Sequence, residues 1–366
     1  MSFTKDYLQK ILPAFGSRPA HPVLRFNPSV ESARAEPETI KVEVFDYNIK
    51  TIEHHEYNSV YACEKFKNND RITWINIDGL RKSDVEVICK GYNVHPLLVE
   101  DILSVGQRAK MDELDNILFC LMNMLYYNAA SDSIETEQVS IVLGKDFVLS
   151  FQEEANRDVF NPVREKLKIN TSKLRMAGAD YLCYSLIDVI VDNYYTVLEL
   201  LGEHIETLEE EIIRRGDTRS LALINGLRKE MIILKRNVGP AREVINGFLR
   251  SDSDLLNERT TKYFKDVYDH IVQANDLVET YRDMMMSMQD LYLNKVNLRL
   301  NEVMKVMAIV TCLMAPATVI GGIFGMNFES IPYLHNKYGF FAAVALMLLI
   351  PVVMIYAFKK RGWFKR

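Results

Sequence analysis

The stretch Val303-Met-Lys-Val-Met-Ala-Ile-Val-Thr-Cys-Leu-Met-Ala-Pro-Ala-Thr-Val-Ile-Gly-Gly-Ile-Phe-Gly-Met-Asn327 decides the architecture of this chain of 366 residues. Its apolar part, from Val303 to Phe324, and a second apolar run from Tyr338 to Phe358 each have about the 20 residues that a helix needs to cross a bilayer. Basic residues close the second run: Lys359, Lys360, Arg361, Lys365 and Arg366. Two such runs in tandem predict a hairpin through a membrane, and a protein that either transports or anchors.

The composition narrows the possible classes of protein. A length of 366 residues exceeds the usual size of one domain, so we expect at least two structural units. The formal net charge of −5 combines an acidic body with a basic end, which argues against nucleic acid as a partner and favours attraction of cations. The five cysteines show no paired spacing, so neither a disulfide framework nor a zinc knuckle is expected. No Walker loop, nucleophile elbow or HExxH motif occurs, so the sequence predicts neither an enzyme nor an ATP-driven pump.

The two ends of the chain predict its orientation. No cleavable leader precedes the large N-terminal part, which we therefore expect in the cytoplasm. The basic cluster after the second run follows the positive-inside bias. We expect a multi-pass protein of the cell membrane with both termini in the cytoplasm.

Changes of pattern predict the segments of the chain. Residues 1–38 are rich in proline and are interpreted as a loosely ordered arm. The following segments are a cytosolic α/β and helical domain at 39–250, a stalk helix at 251–302, a transmembrane helix at 303–324, a loop at 325–337, a second transmembrane helix at 338–358 and a basic tail at 359–366.

Periodicity predicts the elements of the cytosolic domain. Strands are expected at Thr39–Phe45, Arg71–Ile77, Ile117–Tyr126, Gln138–Leu143 and Phe147–Phe151, with a hairpin turn at Gly144–Asp146. Helices are expected at Asp84–Cys89, Pro96–Leu103, Ala179–Arg215 and Thr218–Asn237, and Gly239-Pro240 is expected to end the last of these.

The absence of glycine and proline from a long segment predicts the stalk helix. No Gly or Pro lies between Gly247 and Pro316, which predicts a helix on the order of 100 Å long that enters the membrane. A helix of this length is not stable alone, so an oligomeric bundle is implied.

One face of this helix carries a polar stripe, defined by steps of four and three residues. Its members are Asp290, Asn294, Asn297, Asn301, Met304, Ala308, Thr311, Ala315, Thr318 and Gly322. Small residues at these spacings also mark plain helix packing, and Gly321…Gly325 is itself such a pair. The asparagines favour a water-filled pore, because a buried unpaired amide costs ~1–3 kcal/mol. Mg²⁺ keeps its water shell, and amide, hydroxyl and carbonyl oxygens can hold that shell without stripping it.

Five stretches of the sequence resemble one known family. Phe324-Gly-Met-Asn-Phe-Glu-Ser-Ile-Pro332 is similar to the signature loop of the CorA family of magnesium and divalent-cation channels, usually written Tyr-Gly-Met-Asn. Further blocks resemble the family in the same order: Tyr92–Leu103, Asp180–Asp188, Tyr263–His270 and Asn301–Val306. The resemblance implies a pentameric funnel in which Gly325, Met326 and Asn327 form the pore mouth, with Asn327 of each subunit in a ring that selects a hydrated divalent ion.

The resemblance also implies a regulatory metal site in the cytosol. A carboxylate of the α/β domain and one of the stalk bind a divalent ion between neighbouring subunits, and the matching positions are Asp101 and Asp266. Glu100 and Asp269 lie near enough in sequence to assist. Metal at Asp266 is roughly 90 Å from Asn327 along a continuous helix, so it must act by moving the stalk.

Three positions depart from the family pattern. Phe324 replaces the usual tyrosine, and Tyr333 stands where many members have a second acid, so Glu329 is the chief carboxylate of the loop and capture of cations outside is expected to be weaker. Ala315 replaces a large apolar residue, which leaves Met304 and Met307 to close the pore.

Two other motifs are interpreted as structural. In Glu53-His-His-Glu56, adjacent side chains of a strand point to opposite faces, which argues against a metal site. Met284-Met-Met-Ser-Met288 is interpreted as packing of the stalk.

The leading hypothesis is passive, potential-driven influx of Mg²⁺, with Co²⁺ and Ni²⁺ as further cargo, through a homopentamer in lipid that intracellular divalent ions close. Transport or efflux of Zn²⁺ or another transition metal is an alternative within the family. A scaffold or sensor tethered by the hairpin is an alternative of another class, but a tether needs no aligned Asn294, Asn297 and Asn301.

Overall fold

The computed structural model describes residues 36–37, 39–67, 69–104, 106–154, 158–327, 332 and 336–363. The predicted arm at 1–38, except residues 36 and 37, lies outside the described residues, as do Glu329 and Tyr333 of the loop and Lys365 and Arg366 of the tail. The described residues form two compact units. The first holds residues up to Arg214 with Thr218–Gln289, and the second holds Arg215–Asp217 with residues from Asp290 onward.

A mixed β-sheet forms the centre of the first unit. Its strands are β1 (Lys41–Tyr47), β2 (Ile52–Tyr57), β3 (Ile72–Asp78), β4 (Lys110–Leu114), β5 (Ile117–Asn128), β6 (Ser133–Leu143) and β7 (Phe147–Gln152). Their order is β2-β1-β3-β7-β6-β5-β4. Only β3 and β7 pair in parallel among these strands, and the other neighbours are antiparallel. The predicted hairpin is present, since the Gly144 amide donates to the Phe147 carbonyl at 2.9 Å.

The two faces of the sheet differ in polarity. One face packs an apolar core against a 3₁₀ helix (Val60–Phe66), α1 (Lys82–Gly91) and α2 (Pro96–Leu103). Val42 and Val44 lie in this core, so the alternation of side chains turns Glu43 to the other face. There Asn76 and Asp78 share a hydrogen bond of 3.0 Å and are both buried. The α/β prediction is confirmed.

Helices follow the sheet in sequence. They are α3 (Asn161–Lys168), α4 (Lys173–Met176), α5 (Ala179–Arg214), α6 (Thr218–Arg250), α7 (Glu258–Phe324) and α8 (Gly339–Lys360). The 67 residues of α7 confirm the long helix that the sequence predicts.

The expected break at Gly239-Pro240 is wrong. Pro240 lies inside α6, although a proline in a helix interior costs about 3 kcal/mol. Pro240 and its neighbours Val238 and Ala241 are buried, and this burial offsets the cost.

The helix ends instead at the segment 251–257, which begins with Ser, Asp, Ser and Asp and contains neither glycine nor proline. At its end the Asn257 side chain accepts the amide of Arg259 at 2.9 Å, and the Asp180 carboxylate accepts the amide of Asn257 at 3.0 Å. Side-chain oxygens that bind backbone amides favour the start of a helix, so α7 begins at Glu258 rather than at 251.

The second unit contains two helices that are long and apolar enough to span a membrane. They are the C-terminal part of α7 and the whole of α8, as predicted. The least exposed side chains of this part of α7 share one face: Ile309, Leu313, Pro316, Ala317 and Ile320. A side chain at Gly321 would meet the methyl group of Met347 on α8 at 3.7 Å, so the two helices are in contact there.

Candidate functional site

The ten residues of the polar stripe all lie in the single helix α7 and in the second unit. Each of them is exposed in the single chain. Thr311 and Ala315 lie about half a turn around the helix from Ile309 and Leu313, the face with the least exposed side chains. The stripe therefore lies away from the least exposed side chains of α7.

The hydroxyl groups of the two threonines of the stripe have a fixed hydrogen-bond direction. The Thr311 hydroxyl donates to the Met307 carbonyl at 2.9 Å, and the Thr318 hydroxyl donates to the Met314 carbonyl at 3.0 Å. Each hydroxyl hydrogen is thus used within the helix, and the oxygen lone pairs remain to accept. Water bound to a cation points its hydrogens outward, so these oxygens suit a hydrated ion.

The predicted mouth residues lie at the end of α7. The Gly325 amide donates to the Gly321 carbonyl at 2.9 Å, and the Met326 amide donates to the Ile323 carbonyl at 3.3 Å. A Cβ atom at Gly325 would lie 3.1 Å from the Gly321 oxygen, so this turn favours glycine. Asn327 follows outside the helix and is exposed.

The predicted regulatory carboxylate Asp101 is paired in the single chain. It lies on α2, and Lys110 places its Nζ 2.6 Å from Oδ2. The Gln107 amide group donates to Oδ1 at 3.1 Å. Lys110 is also 3.6 Å from Asp112 Oδ2, so it has a second carboxylate within reach. A metal ion at Asp101 must displace Lys110.

Asp266 lies on α7 beside the hydroxyl of Tyr184. Burial, followed by the charge of Asp188, raises the pKa of Tyr184, and the charge of Asp266 contributes to the shift. Among the described residues, neither Asp101 nor Asp266 belongs to a group of three metal-ligating side chains. Within the described part of one chain, neither carboxylate therefore has two further His, Cys, Asp or Glu ligands beside it.

A metal-competent group that sequence reasoning missed lies one helical turn from Asp266. Asp188 and Asp192 on α5 and His270 on α7 place ligand atoms within 4.8 Å of one another. Burial, followed by the charge of Asp192, raises the pKa of Asp188, so a cation here would relieve repulsion between carboxylates. The four-residue spacing of the two aspartates was a visible signal, but their approach to His270 depends on packing of α5 against α7.

Comparison with known proteins shows the family of this chain. The chain matches the family described as "CorA-like Mg2+ transporter protein" over residues 69–360. It is 39% identical over 327 residues to the cobalt/magnesium transport protein CorA of Thermotoga maritima, with 89% of this chain and 93% of that protein covered. It is 30% identical over 291 residues to the putative metal ion transporter YfjQ of Bacillus subtilis, with 80% and 89% covered.

A solved structure has the same fold. The complete structure of the CorA magnesium transporter from Methanocaldococcus jannaschii aligns with a TM-score of 0.73 at 23% identity, over 88% of this chain and 98% of that one.

Proposed function

The chain belongs to the CorA-like Mg²⁺ transporter family, and from this membership we propose that it forms a homopentameric channel for passive, potential-driven influx of Mg²⁺. Co²⁺ is a second cargo, as in the name of the Thermotoga relative, and Ni²⁺ is a third. Both termini face the cytoplasm, since the basic residues Lys359, Lys360 and Arg361 follow the second span.

The observation that supports a pore is the exposed stripe of α7, which lies away from the least exposed side chains of that helix. Asn294, Asn297 and Asn301 lie just before the span that begins at residue 303, and their amides need hydrogen-bond partners where copies of α7 bury them. Copies of α7 arranged around an axis place these amides and the Thr311 and Thr318 oxygens around water. Such a lining holds a hydrated ion weakly enough to release it.

Metal binding in the cytosolic unit closes the channel in this proposal. Asp101 of one subunit and Asp266 of its neighbour share a divalent ion, and the group Asp188, Asp192 and His270 holds a second one. His270 and Asp266 belong to the same helix as Met304, so a shift of α7 caused by metal reaches the pore. Loss of the ions releases the carboxylates to repel one another.

Ion flux into proteoliposomes tests the proposal. We expect the purified chain to admit Mg²⁺ down an applied potential, with Co²⁺ and Zn²⁺ measured in parallel to rank the cargo. Asn327→Ala is expected to abolish flux while gel filtration shows an unchanged oligomer. Absence of flux through the wild-type chain would support the tether, and undiminished flux through Asn327→Ala would remove the selectivity ring.

A further inference from the structure

Two strands at one edge of the sheet bring together a histidine and two glutamates. In the antiparallel pair β1–β2, Glu43 lies opposite Glu56 and Phe45 lies opposite His54. His54 and Glu56 are two residues apart and share a face with Glu43. Ligand atoms of all three side chains lie within 4.8 Å of one another.

The distance between the histidine and the first glutamate suits a shared ion. His54 Nε2 lies 3.2 Å from Glu43 Oε1. Two ligands that each bind one metal ion at about 2.0–2.2 Å, with tetrahedral or octahedral angles, are about 3.0–3.4 Å apart. A hydrogen bond also fits this distance. The charges of the neighbouring side chains therefore decide between a hydrogen bond and a shared metal ion.

The charges of this group are not balanced by the histidine alone. Glutamates directly opposite each other on neighbouring strands repel. Glu43 is buried, and the Arg164 Nε donates to its Oε2 at 2.7 Å. Arg164 also pairs with Asp158, so its single positive charge is shared between the carboxylates of Glu43 and Asp158. Glu56 adds a third negative charge. A divalent ion between Glu43 and Glu56 relieves their repulsion.

The protein holds two of the three side chains in place. Arg164 fixes the carboxylate of Glu43 while leaving Oε1 directed toward His54. The ring of His54 stacks on Phe45 with centroids 4.3 Å apart and an angle of 9° between planes. Orientation of ligands by neighbouring groups strengthens metal binding.

The third side chain opens the group to its surroundings. Glu56 is exposed and lines a cleft of about 700 Å³ together with Asp78 and Glu153. Water and an ion can enter from this side. Coordination positions not filled by the protein would be occupied by water.

We propose that Glu43, His54 and Glu56 form a binding site for a borderline divalent ion such as Zn²⁺, Co²⁺ or Ni²⁺. An imidazole ligand favours these ions, whereas Mg²⁺ prefers a shell of oxygen and water. This site is separate from the carboxylates Asp101 and Asp266 and from the pore, so it does not depend on the proposed function. Side chains of β2 alternate between the two faces, as the sequence predicts. His54 and Glu56 therefore share one face, and Glu43 of the neighbouring strand β1 is the third ligand.

The same strand supplies a matched control. His55 is next to His54 and points to the opposite face, where it lies 3.5 Å from Glu53 Oε2. Glu53 is in turn paired with Arg71 at 2.7 Å. His54→Gln and His55→Gln therefore remove the same group from opposite sides of β2.

Calorimetric titration of the full chain with Zn²⁺ in detergent, in excess Mg²⁺ to occupy oxygen-lined sites, tests the proposal. We expect His54→Gln and Glu56→Gln to weaken one Zn²⁺ site at least tenfold, and His55→Gln to leave it unchanged. An unchanged circular dichroism spectrum and melting temperature show that each variant is folded. Equal Zn²⁺ binding by the two histidine variants would overturn the proposal.

Tryptophan fluorescence gives a second test of where the ion binds, independent of the calorimetric titration. Trp74 stacks on Phe45 with centroids 5.2 Å apart, and Phe45 in turn contacts His54. In a Trp363→Phe background, Trp74 is the one remaining tryptophan of the chain's two. Saturable quenching by Co²⁺ that Zn²⁺ reverses and His54→Gln removes supports the site. Displacement of Co²⁺ by an equal concentration of Mg²⁺ would show that imidazole takes no part and would overturn it.

Discussion

A lysine occupies the place that a metal ion would take at Asp101. Lys110 Nζ lies 2.6 Å from Asp101 Oδ2 and 3.6 Å from Asp112 Oδ2, so it can move to Asp112 when an ion binds. A tethered ammonium group competes with the metal for the same carboxylate and thereby lowers the apparent affinity of the site. In the proposed channel, the concentration of Mg²⁺ that closes the pore would then reflect this competition as well as the ligands themselves.

Replacing this lysine is expected to make the channel more sensitive to Mg²⁺. A partly exposed ion pair contributes up to about 1 kcal/mol, which corresponds to about a twofold to fivefold change in affinity. Lys110→Gln should therefore halve, or lower further, the Mg²⁺ concentration at which flux is half inhibited in proteoliposomes. Lys168→Gln is the control, because Lys168 pairs at 2.7 Å with Glu165, which is no proposed ligand. Reduced sensitivity in Lys110→Gln would show that the lysine helps to build the site.

A buried carboxyl group gives the stability of the first unit a dependence on pH. Glu137 is 3% exposed, and its Oε1 accepts the amides of Glu153 and Glu154 at 2.8 and 2.7 Å. Burial raises the pKa of Glu137 from 4.5 to about 7 against the effect of these bonds. Between these two values the folded chain holds a proton that the unfolded chain releases, so stability falls as pH rises through this window.

The corresponding prediction concerns Glu137→Gln. This variant stays neutral at every pH. Between pH ~5 and ~8 its melting temperature should therefore fall less than that of the wild-type chain, by the equivalent of about 1–3 kcal/mol. Thermal unfolding followed by circular dichroism measures the effect. Glu86→Gln, at an exposed position on α1, should keep the wild-type slope. An unchanged slope in Glu137→Gln would assign the pH dependence to other groups.

At the scale of elements, periodic patterns were predictable and contacts between distant elements were not. The alternation in Thr39–Phe45 and the length of the apolar run before Asn327 each define an element locally. The continuation of α6 through Pro240 depends on burial against other elements, which no local pattern reports. The group Glu43, His54 and Glu56 likewise requires the register of β1 against β2.

The position of the gate on α7 remains a prediction at this scale. Met304 and Met307 are exposed, and their thioether side chains are large enough to meet around an axis, whereas Ala315 is not. A narrow apolar ring excludes water and so stops a hydrated ion. Met304→Gly or Met307→Gly should raise basal Mg²⁺ flux, and Ala315→Met should lower it by adding a second ring.

Glycine also loosens a helix, so the gate requires a control. Val310 is exposed and lies outside the stripe, and Val310→Gly should leave basal flux near the wild-type value. If Met304 and Met307 prove insensitive while Ala315→Met has a large effect, the constriction lies deeper in the membrane than we propose.

At the scale of the whole molecule, the proposed pore and the proposed regulatory site each need more than one chain. Large apolar side chains on α7, among them Val303, Val306 and Val310, are exposed and require lipid or other copies of the chain. Asp101 is paired with Lys110 of the same chain, and among the described residues neither Asp101 nor Asp266 belongs to a group of three metal-ligating side chains. Both observations are explained if neighbouring subunits supply the missing contacts.

Cross-linking between subunits tests this arrangement directly. Four of the five cysteines are buried and Cys312 is exposed, so Cys312→Ala gives a suitable background. Chains carrying Asp101→Cys and chains carrying Asp266→Cys, produced together and oxidised without metal, should yield a covalent dimer that neither variant forms alone. A disulfide requires Cα atoms within about 7 Å, so Asp276→Cys, ten residues further along α7 and exposed, should not replace Asp266→Cys. A disulfide formed only within the doubly substituted chain would instead place both carboxylates in one subunit, and metal would then act on each α7 separately rather than by joining neighbours.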